Sequence, residues 1–131
     1  MSEDCVFCKI GGGEIESDIL YRDESCFVIR DIAPVAPVHL LVIPNEHLTF
    51  LADLGTEFYP VLGDMFRAAS RLAREQGVSD AGYRLVINQG EHAGQAVDHL
   101  HLHILGGEVL EGMGPGAQAP RRGRGSPEGA T

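Results

Sequence analysis

Apolar positions along this chain form short runs on either side of a single stripe at helical spacing. Ile19-Leu20-Tyr21 and Cys26-Phe27-Val28-Ile29 are bounded by charged residues and predict two strands of a hairpin. Residues 39–43 predict a third strand, entered through a Pro34/Pro37 connection and stopped at Pro44. Over residues 56–76, Phe58, Val61, Leu62, Met65, Phe66, Ala69, Leu72 and Ala73 recur with the helical period and make one apolar stripe. Thr56 stands at the N-cap position, Pro60 in the tolerant first turn, and Gly77 at the stop. Residues 83–87 and 99–105 predict two further strands. Strands on both sides of one helix predict an α+β domain, an antiparallel sheet with helix covering one face.

The pattern stops near residue 110. In residues 111–131, nine of 21 positions are Gly or Pro, with Arg121, Arg122 and Arg124 among them. Such a stretch buries too little apolar surface to offset its ordering entropy. The expected division is therefore a folded domain over 1–110 and a flexible Gly/Pro/Arg-rich tail over 111–131. With 131 residues, 44% of them hydrophobic, the chain suffices for one core. Ten Lys and Arg against 19 Asp and Glu leave a charge of −9. That balance excludes a general binder of nucleic acid or anionic membranes, because both need clustered positive charge. Met1-Ser2-Glu3-Asp4 lacks a basic, apolar leader pattern, and Leu40-Leu41-Val42-Ile43 is far too short to span a bilayer. A soluble, cytoplasmic protein is expected. The three cysteines are too few for a disulfide scaffold, and Cys5-x-x-Cys8 reads as a metal or redox pair. Cys26, beside Phe27 and Val28, reads as a buried thiol, and His92 as an exposed loop residue.

Three of the six histidines alternate with apolar residues in Asp98-His99-Leu100-His101-Leu102-His103-Ile104. On a strand this puts His99, His101 and His103 on one face and sends Leu100, Leu102 and Ile104 into the core. Two chemistries suit such a row. A His-x-His pair can ligate zinc, or a neutral imidazole can attack phosphorus and form a covalent intermediate. The preceding stretch, Asn88 to Ala96, follows a strand and carries Gly90, Gly94, Gln89 and Gln95. Glycines let backbone amides approach an oxyanion, and side-chain amides donate further bonds.

Gly94-Gln95-Ala96-Val97-Asp98-His99-Leu100-His101-Leu102-His103 resembles the signature of the histidine triad (HIT) family. The stretch from Asp31 through Pro34, Pro37 and His39 to Pro44 resembles that family's other block, and Gly106-Gly107 places the chain nearest the Hint branch of nucleoside phosphoramidate hydrolases. The resemblance implies a HIT-like fold: a five-stranded antiparallel sheet, one long helix and a short N-terminal helix, with the sheet continued across a homodimer. It implies hydrolysis of an AMP- or GMP-type substrate through a nucleotidyl-histidine, with no cofactor needed for the chemistry. His101 would be the nucleophile, His103 would bind the phosphate, His39 would face the nucleophile's network and His99 would stand beside it. Asn88, Gly94, Gln95 and Ala96 would form the phosphate loop, Asp31 would hold the ribose, and Phe7, Ile10, Ile15, Ile29, Ile32 and Leu41 would wall the base.

Some bacterial members bind a structural zinc, and Cys5, Cys8, His47 and His99 match that Cys₂His₂ set. Two positions depart from the pattern. Ala96 stands where Hint relatives often carry a hydroxyl, and the Trp-containing C-terminal motif is missing. Three alternatives share these residues: hydrolysis of dinucleoside polyphosphates, nucleotide binding with weak catalysis, and a catalytic zinc held by the three triad histidines.

Overall fold

The computed structural model describes residues 4–112, so residues 113–131 of the expected tail lie outside the described residues. The most apolar run of the chain becomes its central strand. β3 (Val38–Pro44) is buried from His39 to Pro44, because both faces of the sheet are covered there. It is flanked by β2 (Cys26–Arg30) and β5 (Leu102–Gly106); β1 (Ile19–Arg22) and β4 (Tyr83–Val86) form the edges. The order is β1-β2-β3-β5-β4, and every pairing is antiparallel. This is the five-stranded sheet that the resemblance implies.

Alternate residues of β3 serve two cores. Leu40 and Val42 pack with Val28, Leu102 and Ile104 beneath α2 (Tyr59–Glu75). Met65, Ala68, Ala69, Leu72 and Ala73 form that helix's buried face. The alanines let the helix approach closely, while Leu72, 1% exposed, contributes about 1.5–3 kcal/mol by burial. Leu41 and Ile43 face the other way and pack with Phe27 and Ile29 against α1 (Val6–Gly11), which supplies Phe7, Cys8 and Ile10. The catalytic candidates lie on this second face, where cross-strand pairing sets His103 opposite both Leu41 and Val86.

The structure corrects three local expectations. The helical stripe is rotated, so that Ala68 is buried and Phe66 is 46% exposed. Thr56 makes no side-chain cap; it opens a 3₁₀ turn, Thr56–Phe58, that leads into α2. Above all, β5 starts at Leu102 rather than at residue 99. His99 and Leu100 are both fully buried, so strict alternation fails there. The reason is tertiary: Leu100 N–H donates to the Leu48 carbonyl, off the ladder, while the His99 ring turns to the Pro44 carbonyl.

At the far end of β5, Gly107 has φ +96°, and a Cβ there would meet the Pro37 ring at 2.9 Å. This close approach seats the Asp31–Pro37 connection against the strand end.

Candidate active site and metal centre

Hydrogen-bond partners point to the tautomers of His101, His39 and His103. His101 Nδ1 lies 2.7 Å from the His99 carbonyl oxygen. A carbonyl only accepts, so Nδ1 carries the proton and Nε2 keeps its lone pair. Val35 N–H donates to His39 Nδ1 at 3.1 Å, so the His39 proton sits on Nε2. From there it is donated to His103 Nδ1, 2.9 Å away. His103 must then carry its own proton on Nε2, and that atom is buried with no hydrogen-bond partner. The chain Val35–His39–His103 thus ends in an unmet donor, on a ring that packs against His101. The His101 and His103 ring centroids are 5.1 Å apart.

Burial keeps His103 and His39 neutral. It pushes His103 down to about 4, with His101 and His39 acting in the same direction and Asp31 opposing. Burial likewise lowers His39, against the pull of Asp31. Asp31 Oδ2 stands 3.4 Å from His39 Nε2, a polar contact to a neutral imidazole rather than an ion pair. Asp31, His39 and His103 are close enough to hold a metal ion. A metal on His39 Nε2 would require the proton on Nδ1, where the Val35 N–H already points. These three side chains read as a proton-holding chain.

The loop before the triad uses its polar groups partly on itself. Gly90 and Gly94 adopt positive φ, and Glu91–Ala93 form a 3₁₀ turn between them. Gln95 Oε1 accepts from Gly90 N–H at 2.7 Å, and its Nε2 donates to the Val97 carbonyl at 3.1 Å. Gln95 therefore shapes the loop. Asn88 lies partly buried just past β4, and Ala96 is exposed. Of the residues expected at the base, Phe7, Ile10, Ile29 and Leu41 are packed in one cluster with Phe27 and Ile43. Ile15 is half exposed, whereas Ile32, beside Asp31, is 97% exposed.

The second group lies behind His99. Cys5 Sγ is 3.2 Å and Cys8 Sγ 3.5 Å from His99 Nδ1, and Cys8 Sγ is 3.2 Å from His47 Nδ1. All four donor atoms fall within 4.8 Å of one another. His99 Nε2 donates to the Pro44 carbonyl at 2.9 Å, which leaves Nδ1 as a lone pair aimed at the sulfurs. Burial pushes His99 down to about 4, so that lone pair stays free. Two thiols and two imidazole nitrogens, one of them oriented by a carbonyl behind it, fit a tetrahedral zinc. α1 is built for this: Cys5 is its N-cap, with Sγ accepting from Cys8 N–H at 3.3 Å.

Three contributors carried no sequence signal: the Val35 amide, the Pro44 carbonyl and the Leu48 carbonyl act through backbone. Cys26 is fully buried, as read from its neighbours, and burial raises its thiol to about 12.

The HIT domain family matches residues 12–110, and the chain belongs to that family. It is 42% identical over 113 residues to the purine nucleoside phosphoramidase of Escherichia coli K12, covering 86% of this chain and 95% of that protein. Among solved structures it resembles a HIT family hydrolase from Clostridium thermocellum, at 45% identity and TM-score 0.81, over 88% of this chain and 97% of that one. A zinc-bound histidine triad family protein from Mycobacterium smegmatis matches at 35% identity and TM-score 0.68, covering 79% and 74% respectively.

Proposed function

We propose that this protein hydrolyses purine nucleoside 5′-phosphoramidates of the AMP or GMP type through a nucleotidyl-histidine. The observation that carries the reading is the pairing of a bare His101 Nε2 with the unmet Nε2–H of His103. One is a nucleophile in its reactive protonation state, and the other is a donor that a phosphoryl oxygen satisfies.

His101 Nε2 attacks the α-phosphorus, a P–N bond forms to the ring, and the substrate's P–N bond breaks. The departing amine takes a proton from water, since Ala96 has no hydroxyl to offer. Water then attacks the phosphorus and gives its proton to the hydroxide left by the first step, the bond to His101 breaks, and the nucleotide leaves with the ring restored. His39 holds the His103 proton on Nε2 throughout, and Asp31 accepts from the ribose. With a net charge of −9, amides and imidazoles rather than a cationic patch hold the nucleotide.

Cys5, Cys8, His47 and His99 would hold a structural zinc, whose four protein ligands leave no open position for water. Its contribution is a cross-link between α1 and the segment that leads into β5. The protein acts in the cytoplasm as a homodimer in this reading; what supports the dimer is the outer edge of β4, unpaired among the described residues, with Leu85 36% exposed on it.

Turnover of adenosine 5′-phosphoramidate by wild type and His101→Ala tests the mechanism. A loss on the order of 10³-fold or more is expected; equal rates remove His101 as nucleophile. Competing a dinucleoside polyphosphate against the phosphoramidate by kcat/KM separates the two substrate classes.

A further inference from the structure

Phe7 stands where the metal donors and the nucleophile meet. It lies on α1 between Cys5 and Cys8 and is 7% exposed. Its ring meets the His101 ring edge-on, with centroids 5.1 Å apart and planes at 73°. It meets the His99 ring in the same manner, at 5.8 Å and 82°. Edge-to-face contact is a favoured geometry for such rings.

His101 needs this wall. Among the described residues, the ring's one hydrogen bond is Nδ1–H to the His99 carbonyl. A single bond at one corner does not by itself fix the ring, because the final torsion of histidine is broad, so its aim depends on the packing around it. Phe7 packs against the His101 ring at the same centroid distance as His103 does, 5.1 Å, and it also meets the ring of His99. Its own position depends on α1, a helix of six residues and far too short to persist alone. That helix is held by the packing of Phe7 and Ile10 on the sheet together with Cys5 and Cys8 at the donor cluster.

We infer that Phe7 is a positioning residue for the His101 imidazole, coupling occupancy of the Cys5–Cys8–His47–His99 centre to the aim of the nucleophile. This rests on the assignment of His101 as nucleophile, and it gives Phe7 a role distinct from a wall for the base.

Phe7→Leu keeps an apolar filler and removes the ring edge. It lowers kcat about three- to tenfold with KM little changed, whereas a residue that only walls the base raises KM and leaves kcat in place. Phe7→Tyr, which keeps the ring, recovers kcat relative to Phe7→Leu. In the nucleotide-free protein at about pH 8, above the ordinary imidazole range, ring-nitrogen NMR of His101 shows one Nδ1–H tautomer with zinc bound. That signal moves toward tautomer averaging in Phe7→Leu and in chelated wild type alike. If KM alone responds, or if the His101 signal ignores both perturbations, the inference is overturned. Should Phe7→Leu not fold, Phe7→Met fills the same space and carries the same readouts. The NMR arm needs no turnover, so it stands even where His101→Ala retains full activity and the nucleophile assignment falls.

Discussion

Lowering the pH from 7.5 to 5 should destabilise the protein through His103, and the structure sets the size. An imidazole of ordinary pKa, about 6.5, charges freely once unfolded, whereas burial holds folded His103 at about 4. The unfolded chain therefore binds the extra proton first. Stability is full above about pH 6.5, declines as pH falls, and levels off below about pH 4. Near pH 5 the difference between the two protonation equilibria is about 2 kcal/mol, and about 1–2 kcal/mol once solvent screening of this half-buried ring is allowed for. His39, lowered by burial, adds in the same direction. His99 contributes only when the metal is gone, since a ligated Nδ1 resists protonation and shifts the pH dependence onto metal affinity. The assay is urea unfolding across this range with zinc kept in excess, comparing wild type with His103→Gln, whose side chain does not titrate. The variant's stability should fall less steeply with acid. Identical slopes for the two proteins would refute the buried, neutral assignment of His103.

Cys8→Ser should abolish stoichiometric zinc in metal analysis and loosen α1, seen as faster amide exchange over Val6–Gly11, while the sheet keeps its protection. Leu72→Ala, at a fully buried site beneath the sheet, should cost about 2–5 kcal/mol in chemical denaturation. Gly107→Ala should cost about 1–3 kcal/mol, since φ is positive and the Pro37 ring is in the way; its thermal midpoint should fall, and the ring-nitrogen signals of His39 should broaden as the Val35 amide shifts.

The sheet was legible because its strands are short apolar runs between charged or turn residues, and because Leu40 to Ile43 are buried on both faces. The long helix was legible from its period, but its phase was not: alanine carries little hydrophobic signal, so burial of Ala68 in place of Phe66 leaves no trace in the pattern. The triad's alternation pointed to histidines that the fold does bring together, for an incomplete reason. His103 alone sits on the ladder, and His99 and His101 are placed by bonds to carbonyls of Pro44 and His99, which no side-chain pattern records. That His39 reaches His101 only through His103, and that Val35 sets its proton, depends on backbone geometry in the same way. The Cys5–Cys8–His47–His99 cluster was readable from the Cys-x-x-Cys spacing only together with the family resemblance, since its four donors lie far apart in the chain.

His99 serves two neighbours with different atoms, its Nδ1 turned to the cysteine sulfurs and its carbonyl to His101. Binding events joined through one residue are thermodynamically reciprocal. Whatever factor the metal adds to the affinity for nucleotide, the nucleotide must return to the affinity for metal. If zinc at this centre strengthens nucleotide binding, then in a medium poor in zinc the copies with a nucleotide in place would hold the ion at the higher occupancy.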